Sequence, residues 1–214
     1  MLATTRRGPG PDELLPGEVA RPCLPPTRDR RAGQIVGAFR RILEAEGPEA
    51  ASMRRVASEL GIRAPSLYKH FSSRADIEAA SVAHAMVEIG EATHKALHEK
   101  QAGSALMSLL IAYRQSCLAS PALYRIATQG GFDRGKLPAG LEEWAGNPFY
   151  VVTGNPELAQ ALWSFAHGMV VLELDRRYPP GSDLDSTWRA GATAFERHSA
   201  LKQAEHNQGA RTND

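Results

Sequence analysis

The chain has 214 residues, room for one mid-sized domain or two small ones around a buried core. Hydrophobic residues make up 43% and charged residues 23%, which excludes wholesale disorder, and no stretch reaches the roughly 18 apolar residues of a membrane span. The net charge of +1 conceals a basic block, residues 28–74 with ten Lys and Arg against five Asp and Glu, beside residues 75–214 with twelve against sixteen; such a block fits an anionic partner, nucleic acid or anionic lipid, as well as a solvated helix face.

Residues 1–27 are rich in proline, with scattered glycine and no hydrophobic periodicity, which predicts a disordered N-terminal arm. Its Arg6, Arg7 and Arg21 could follow a phosphate backbone, and a passive tail would read the same. The arm lacks the apolar region of a secretory signal. Cys23 and Cys117 offer neither a disulfide framework nor metal-ligand spacing, so a reducing cytoplasm is the expected location.

From Arg31 the pattern is helical. Ile35, Phe39, Ile42 and Leu43 form one apolar stripe that Gly47-Pro48 ends. Ser52 is the expected N-cap of a second helix with Met53, Val56, Ala57 and Leu60 inward, and Gly61 stands where a chain leaving a helix commonly needs φ > 0. Pro65 suits the first turn of a third helix carrying Leu67, Tyr68 and Phe71. Ser73-Arg74-Ala75-Asp76 has capping-box form and opens a fourth helix reaching about Leu97.

Further helices are expected to start at Ser104 and at Ser120-Pro121, with a stop at Gly130-Gly131. Residues 132–155 are broken by Gly and Pro and resist assignment. Asn155-Pro156-Glu157 is a strong helix start; that helix should run to about Arg177, be apolar almost all round and be buried on several sides, by its own core plus a partner. A last helix is expected over about 184–204. No strand alternation and no internal repeat stands out, so the predicted class is all-α.

Two short helices joined by a glycine turn predict a helix-turn-helix, whose second helix enters the DNA major groove, about 12 Å wide. Leu67 and Phe71 would pack against Val56 and Leu60. That leaves Pro65, Ser66 and Lys69 outward, with Tyr68 and His70 at the flank as phosphate donors. Two core helices with solvated charges are the bland alternative, which the basic charge of the block disfavours.

Over about residues 31–80 the chain closely resembles the DNA-binding domain of TetR-family transcriptional regulators. The resemblance rests on SMRRVASELGI, APSLYKHF and SSRADI at fixed spacing. It implies that Arg54 reaches base edges or backbone, that Ala64, Pro65, Ser66 and Lys69 are recognition-helix surface positions, and that Ser52, Tyr68, His70 and Arg74 contact phosphates. Arg63 stands where family members often have Ser or Thr; it caps poorly and could add a phosphate or guanine contact. LWSFAHGMVVLEL also resembles a Trp-His-Gly type of C-terminal regulatory domain.

The resemblance divides the chain into the arm at 1–27, a three-helix helix-turn-helix domain at 28–75, a helical regulatory and dimerisation domain at 76–205 and a polar tail at 206–214. It implies a cytoplasmic, homodimeric, ligand-responsive repressor on a palindromic double-stranded operator. Helices at about 156–177 and 184–204 would build the dimer interface. Tyr113, Cys117, Trp144, Phe149, Trp163 and His167, with Glu173 as a polar anchor, are the candidate lining of a site for a small apolar effector, though the same aromatics could simply fill a core. The alternative is a DNA-bound assembly protein without an effector.

His94 and His98 share a helix face, as metal ligands can, yet Lys95 replaces the zincin Glu, His84 lies ten residues before His94, and no third ligand stands at strong spacing. A solvated helix face is the expected reading, with a zinc-responsive regulator as the alternative, and no cofactor is expected. No GxSxG, P-loop or dinucleotide glycine pattern is present, and no enzyme is predicted.

Overall fold

A computed structural model of the chain describes residues 14–22, 30–99, 104–129 and 131–211. Among these the structure is all-helical, with no strand: α1 (Arg30–Glu46), α2 (Met53–Glu59), α3 (Ala64–Leu67), α4 (Arg74–His98), α5 (Ala105–Leu118), α6 (Pro121–Thr128), α7 (Leu141–Thr153), α8 (Pro156–Leu174) and α9 (Leu184–Arg211), plus a 3-10 turn at Arg134–Lys136. The chain packs as two units. Among the described residues, one holds 21–22, 30–89, 116–129 and 131–145, the other 14–20, 90–99, 104–115 and 146–211. The first part of α4, to residue 89, packs with the helix-turn-helix, as do α6 and the 3-10 turn.

In the first unit α1 packs against α2 and α6, and α2 against α3. The stripe read from the sequence is the core: Ile35, Phe39, Ile42 and Leu43 are buried, with Val56, Leu67, Ile77, Val82 and Leu123 around them. Ser52 caps α2 as expected, its hydroxyl oxygen accepting the Arg55 N–H at 3.2 Å. At the other end Gly61 takes φ +62°. There its N–H donates to Ser58 O (3.1 Å) and the Ile62 N–H to Ala57 O (3.0 Å), the paired bonds of a Schellman motif. Ser73 Oγ accepts the Asp76 N–H at 3.2 Å and starts α4. The start of α6 is satisfied from a distance instead: Ser120 makes no side-chain cap, and the Glu44 carboxylate of α1 accepts the Ala122 and Leu123 N–H groups, each at 2.9 Å.

In the second unit α8 packs against α9. Ser104 Oγ accepts the Met107 N–H (3.0 Å) and Asn155 Oδ1 the Leu158 N–H (2.8 Å), so both expected starts are capped. Helix α8 ends earlier than expected, at Leu174, where Arg176 takes φ 53° and the Arg177 N–H returns to Leu172 O. Within the single chain Leu162, Ala166, Met169 and Val170 form one buried stripe, while Trp163 and Leu172 are exposed. Trp188 of α9 is buried edge-on against Phe165 of α8, their ring centroids 5.7 Å apart. Gly191 lies across from Phe165, where a Cβ would run into the ring, so the crossing requires the missing side chain.

Three further segments depart from the sequence pattern. Residues 132–155, unassigned from sequence, contain α7, which carries Pro148 inside it. Proline there costs a backbone hydrogen bond, but Leu141, Trp144 and Phe149 of the same helix are buried. Helix α9 extends to Arg211, through residues expected as tail. Within the predicted disordered arm, residues 14–22 are ordered; Arg6 and Arg7 lie outside the described residues.

Replacing Gly61 with Ala should lower unfolding free energy by about 1 kcal/mol, the cost of a left-handed backbone for an L-residue. A Cβ there meets nothing within 4 Å, so crowding adds no further cost. Urea denaturation should show a lower midpoint and an unchanged slope.

Candidate nucleic-acid interface

The helix-turn-helix presents its surface because of what it buries. Leu67 has no exposure and Phe71 is partly buried against the same core. Regular helix stops at Leu67, so α3 is shorter than expected; residues 68–70 continue as a turn in which the His70 and Phe71 N–H groups both donate to Leu67 O. Arg63 precedes α3 in an extended conformation and makes no side-chain cap. Between the two anchors Tyr68 stands 55% exposed, beside exposed Lys69. Arg54, Arg63 and Pro65 are also exposed, while Ser52, Ala64, Ser66 and His70 are half-buried.

The arginines divide into two groups. Arg55 is committed within the fold, donating to Glu46 (2.5 Å) and Glu59 (3.0 Å). Those carboxylates hold its guanidinium above the ordinary arginine range, Glu46 contributing most. Arg40 is likewise held by both oxygens of Glu88 at 2.7 Å. By contrast Arg54, Arg63 and Lys69 form no ion pair with any described residue. They therefore leave a net positive charge on the exposed side of α2 and α3, where an anion can approach.

Two expected phosphate contacts have structural duties as well. Ser52 spends its oxygen on the α2 cap, leaving the hydroxyl proton to donate. Arg74 Nη2 donates to Pro48 O at 2.8 Å, tying the start of α4 to the α1–α2 turn. Its Nε is buried without a hydrogen-bond partner among the described residues, with the Glu78 carboxylate 3.9 Å away. Asp76 is paired with Lys136 and bonded to Ser72 and Ser73, and these partners, Lys136 first, hold its carboxyl far below the usual range.

The candidate effector residues are shared between the two units. Cys117 and Trp144 are buried in the first unit, Trp144 with the Arg21 guanidinium 5.6 Å from its ring centroid. In the second, Tyr113 and Phe149 are buried and meet edge to face at 5.4 Å. Trp163 is 47% exposed, stacked with His167 at 5.7 Å. Burial holds the His167 imidazole below its ordinary range. Glu173 already has a partner: Arg114 clasps both its oxygens at 2.7 and 2.9 Å, reaches Asp185 at 2.5 Å and lies over the Trp188 ring.

His94 and His98 meet Glu18, a residue the sequence reading left in the arm. Nothing in the local pattern signals that contact, because the partners are more than seventy residues apart. Among the described residues no group of three or more His, Cys, Asp or Glu is arranged to hold a metal ion, and no helix is long and apolar enough to cross a membrane.

Residues 35–80 match the family model of bacterial regulatory proteins of the tetR family. The chain is 27% identical over 93 residues to an uncharacterized HTH-type transcriptional regulator, YobS, of Bacillus subtilis (strain 168); the match covers 44% of this chain and 49% of that protein. The chain thus spans about half the length of the curated relative it matches. Among solved structures it is similar to the putative regulatory protein SCO4313, with a TM-score of 0.63, 19% identity and coverage of 78% of this chain and 98% of the other. It is also similar to BioQ solved with its double-stranded DNA operator, with a TM-score of 0.51, 19% identity and coverage of 79% and 97%. At such identity the structural likeness establishes the fold.

Leu67→Ala should cost about 2–5 kcal/mol of stability, since it empties a core site. Lys69→Ala, fully outside that core, should stay within about 0.5 kcal/mol of the parent in the same denaturation experiment.

Proposed function

We propose that this chain, which belongs to the TetR family of bacterial regulatory proteins and is a regulator rather than an enzyme, acts in the cytoplasm as a homodimeric, ligand-responsive repressor on a palindromic DNA operator. The observation that carries the DNA reading is the exposed row on α2 and α3. Arg54, Arg63 and Lys69 form no ion pair there with any described residue, and Tyr68 stands outward between buried Leu67 and half-buried Phe71. Ser66 and Lys69 supply hydrogen bonds to base edges, Pro65 an apolar contact for a thymine methyl, and Ala64 a close approach. Ser52, Tyr68, His70 and Arg74 supply phosphate contacts, and Arg63 a phosphate or guanine contact.

The dimer reading is supported by α8. Trp163, His167, Val171 and Leu174 follow helical spacing beside the buried stripe and remain exposed or half-exposed. A two-fold pair would cover that stripe and set two recognition helices about one DNA turn apart. An effector acts here by population shift, favouring a dimer whose half-site spacing no longer fits; α4, which contributes to both units, is the element through which it acts. One observation favours a second reading, an assembly protein without an effector: Glu173, the candidate polar anchor, is fully engaged by Arg114.

Selection of bound duplexes from a random DNA pool should enrich a palindrome. Tyr68→Ala should weaken binding to all sequences alike, and Lys69→Ala should relax preference at one base pair per half-site by about 1–3 kcal/mol. Absence of a palindrome, or enrichment indifferent to Tyr68, counts against the DNA reading. Trp163→Glu should weaken dimerisation by about 2 kcal/mol, roughly thirtyfold, in sedimentation equilibrium. An unchanged dimer would remove α8 from the interface.

A further inference from the structure

Residues 15–18 form a complete reverse turn. The Glu18 N–H donates to Leu15 O at 2.9 Å, Pro16 fixes the second position, and Gly17 takes φ +79° at the third, the signature of a type II turn. The Glu18 side chain closes the turn again, Oε2 accepting the Leu15 N–H at 2.9 Å.

That side chain is fully buried, which a carboxylate tolerates only when its oxygens are paired. His94 Nδ1 lies 2.5 Å from Oε1 and His98 Nε2 lies 2.9 Å from Oε2, from successive turns of α4. The backbone of the turn is held as well. Asn147 of α7 accepts the Val19 N–H through Oδ1 and donates from Nδ2 to Gly17 O, both at 3.0 Å. Tyr150 covers Gly17 so closely that a Cβ would sit 3.1 Å from its ring. Two imidazoles on a carboxylate, an amide paired with both polarities of a peptide backbone, and a ring packed closely over the glycine are together the elements of a peptide-recognition site.

We propose that His94, His98, Asn147 and Tyr150 form a recognition site for a carboxylate-bearing Pro-Gly-Glu turn, and that residues 15–19 occupy it as an internal ligand. The ionised state of Glu18 agrees with this. Burial pushes its pKa up, but the Leu15 N–H and the two histidines outweigh burial and hold it below the usual range. A freed strap leaves a site that accepts the same turn from outside the chain. Every residue of the site lies outside the helix-turn-helix, so the proposal stands independently of DNA binding.

The test uses the full chain with Glu18→Gln, which keeps side-chain size and removes the charge, its fold checked by circular dichroism. Amide exchange at Glu18 and Val19 should accelerate by about tenfold or more relative to wild type. Asn147→Ala should accelerate Val19 by its own route. A capped, fluorescent peptide of residues 14–20 should then bind the Glu18→Gln chain about tenfold more tightly than wild type, whose site is filled. Binding should vanish when the peptide's glutamate is replaced by glutamine or when His94→Gln and His98→Gln are added. Exchange unchanged in both the Glu18→Gln and Asn147→Ala chains, or peptide binding indifferent to its glutamate or to the histidines, would overturn the proposal.

Discussion

The burial of Leu67 is the contact on which the exposed face of the helix-turn-helix depends. Helix α3 spans only Ala64–Leu67, and a single turn has no stability of its own, because nucleation fixes several dihedrals for one hydrogen bond. Its position is therefore imposed from below. Leu67 enters the core made by α1 and α2, Phe71 follows one turn later, and the Schellman bonds around Gly61 set the direction in which the chain leaves α2. Burying a leucine contributes about 1.5–3 kcal/mol, enough to fix a turn that propensity alone would leave frayed. Tyr68 and Lys69 face outward because their neighbours on either side are committed inward.

Electrostatics refines that surface. The positive charge of residues 28–74 is unevenly placed, because Arg40 is paired with Glu88, Arg55 with Glu46 and Glu59, and Arg74 is tied to a backbone carbonyl. Surface ion pairs add little stability. Their larger effect here is selection: they quench some arginines and leave Arg54, Arg63 and Lys69 to define where the positive potential sits.

What was legible in the sequence was local. Ser52, Ser73, Ser104 and Asn155 each cap the N–H three residues ahead, so a short window contains donor and acceptor together. The apolar stripe of α1 repeats every turn and is equally visible. Interactions across the chain were not: Glu44 capping α6, Arg114 on Glu173, Glu18 between two histidines. Each joins residues whose own neighbourhoods look ordinary, a surface glutamate or a solvated arginine. Helix α7 escaped for a different reason. Gly146 and Pro148 read as breakers, and only tertiary burial of Trp144 and Phe149 offsets their cost. For the DNA face, outward positions could be inferred from inward ones, whereas the candidate effector residues shared no pattern that required them to converge.

The arm shows why hydrophobic patterning misses some ordered segments. Within residues 14–22 the one buried residue is Glu18, an acid that is almost never buried without partners. Order there comes from polar pairing rather than from apolar area, and the two differ in kind. A leucine in a core such as Leu67 leaves it only when the core itself opens. A carboxylate held by two imidazoles and a backbone N–H can be exchanged for water, or for another carboxylate, without disturbing the helices that carry those groups. The composition that reads as disorder, proline and glycine without periodicity, is also what a tight turn presenting one charged side chain requires.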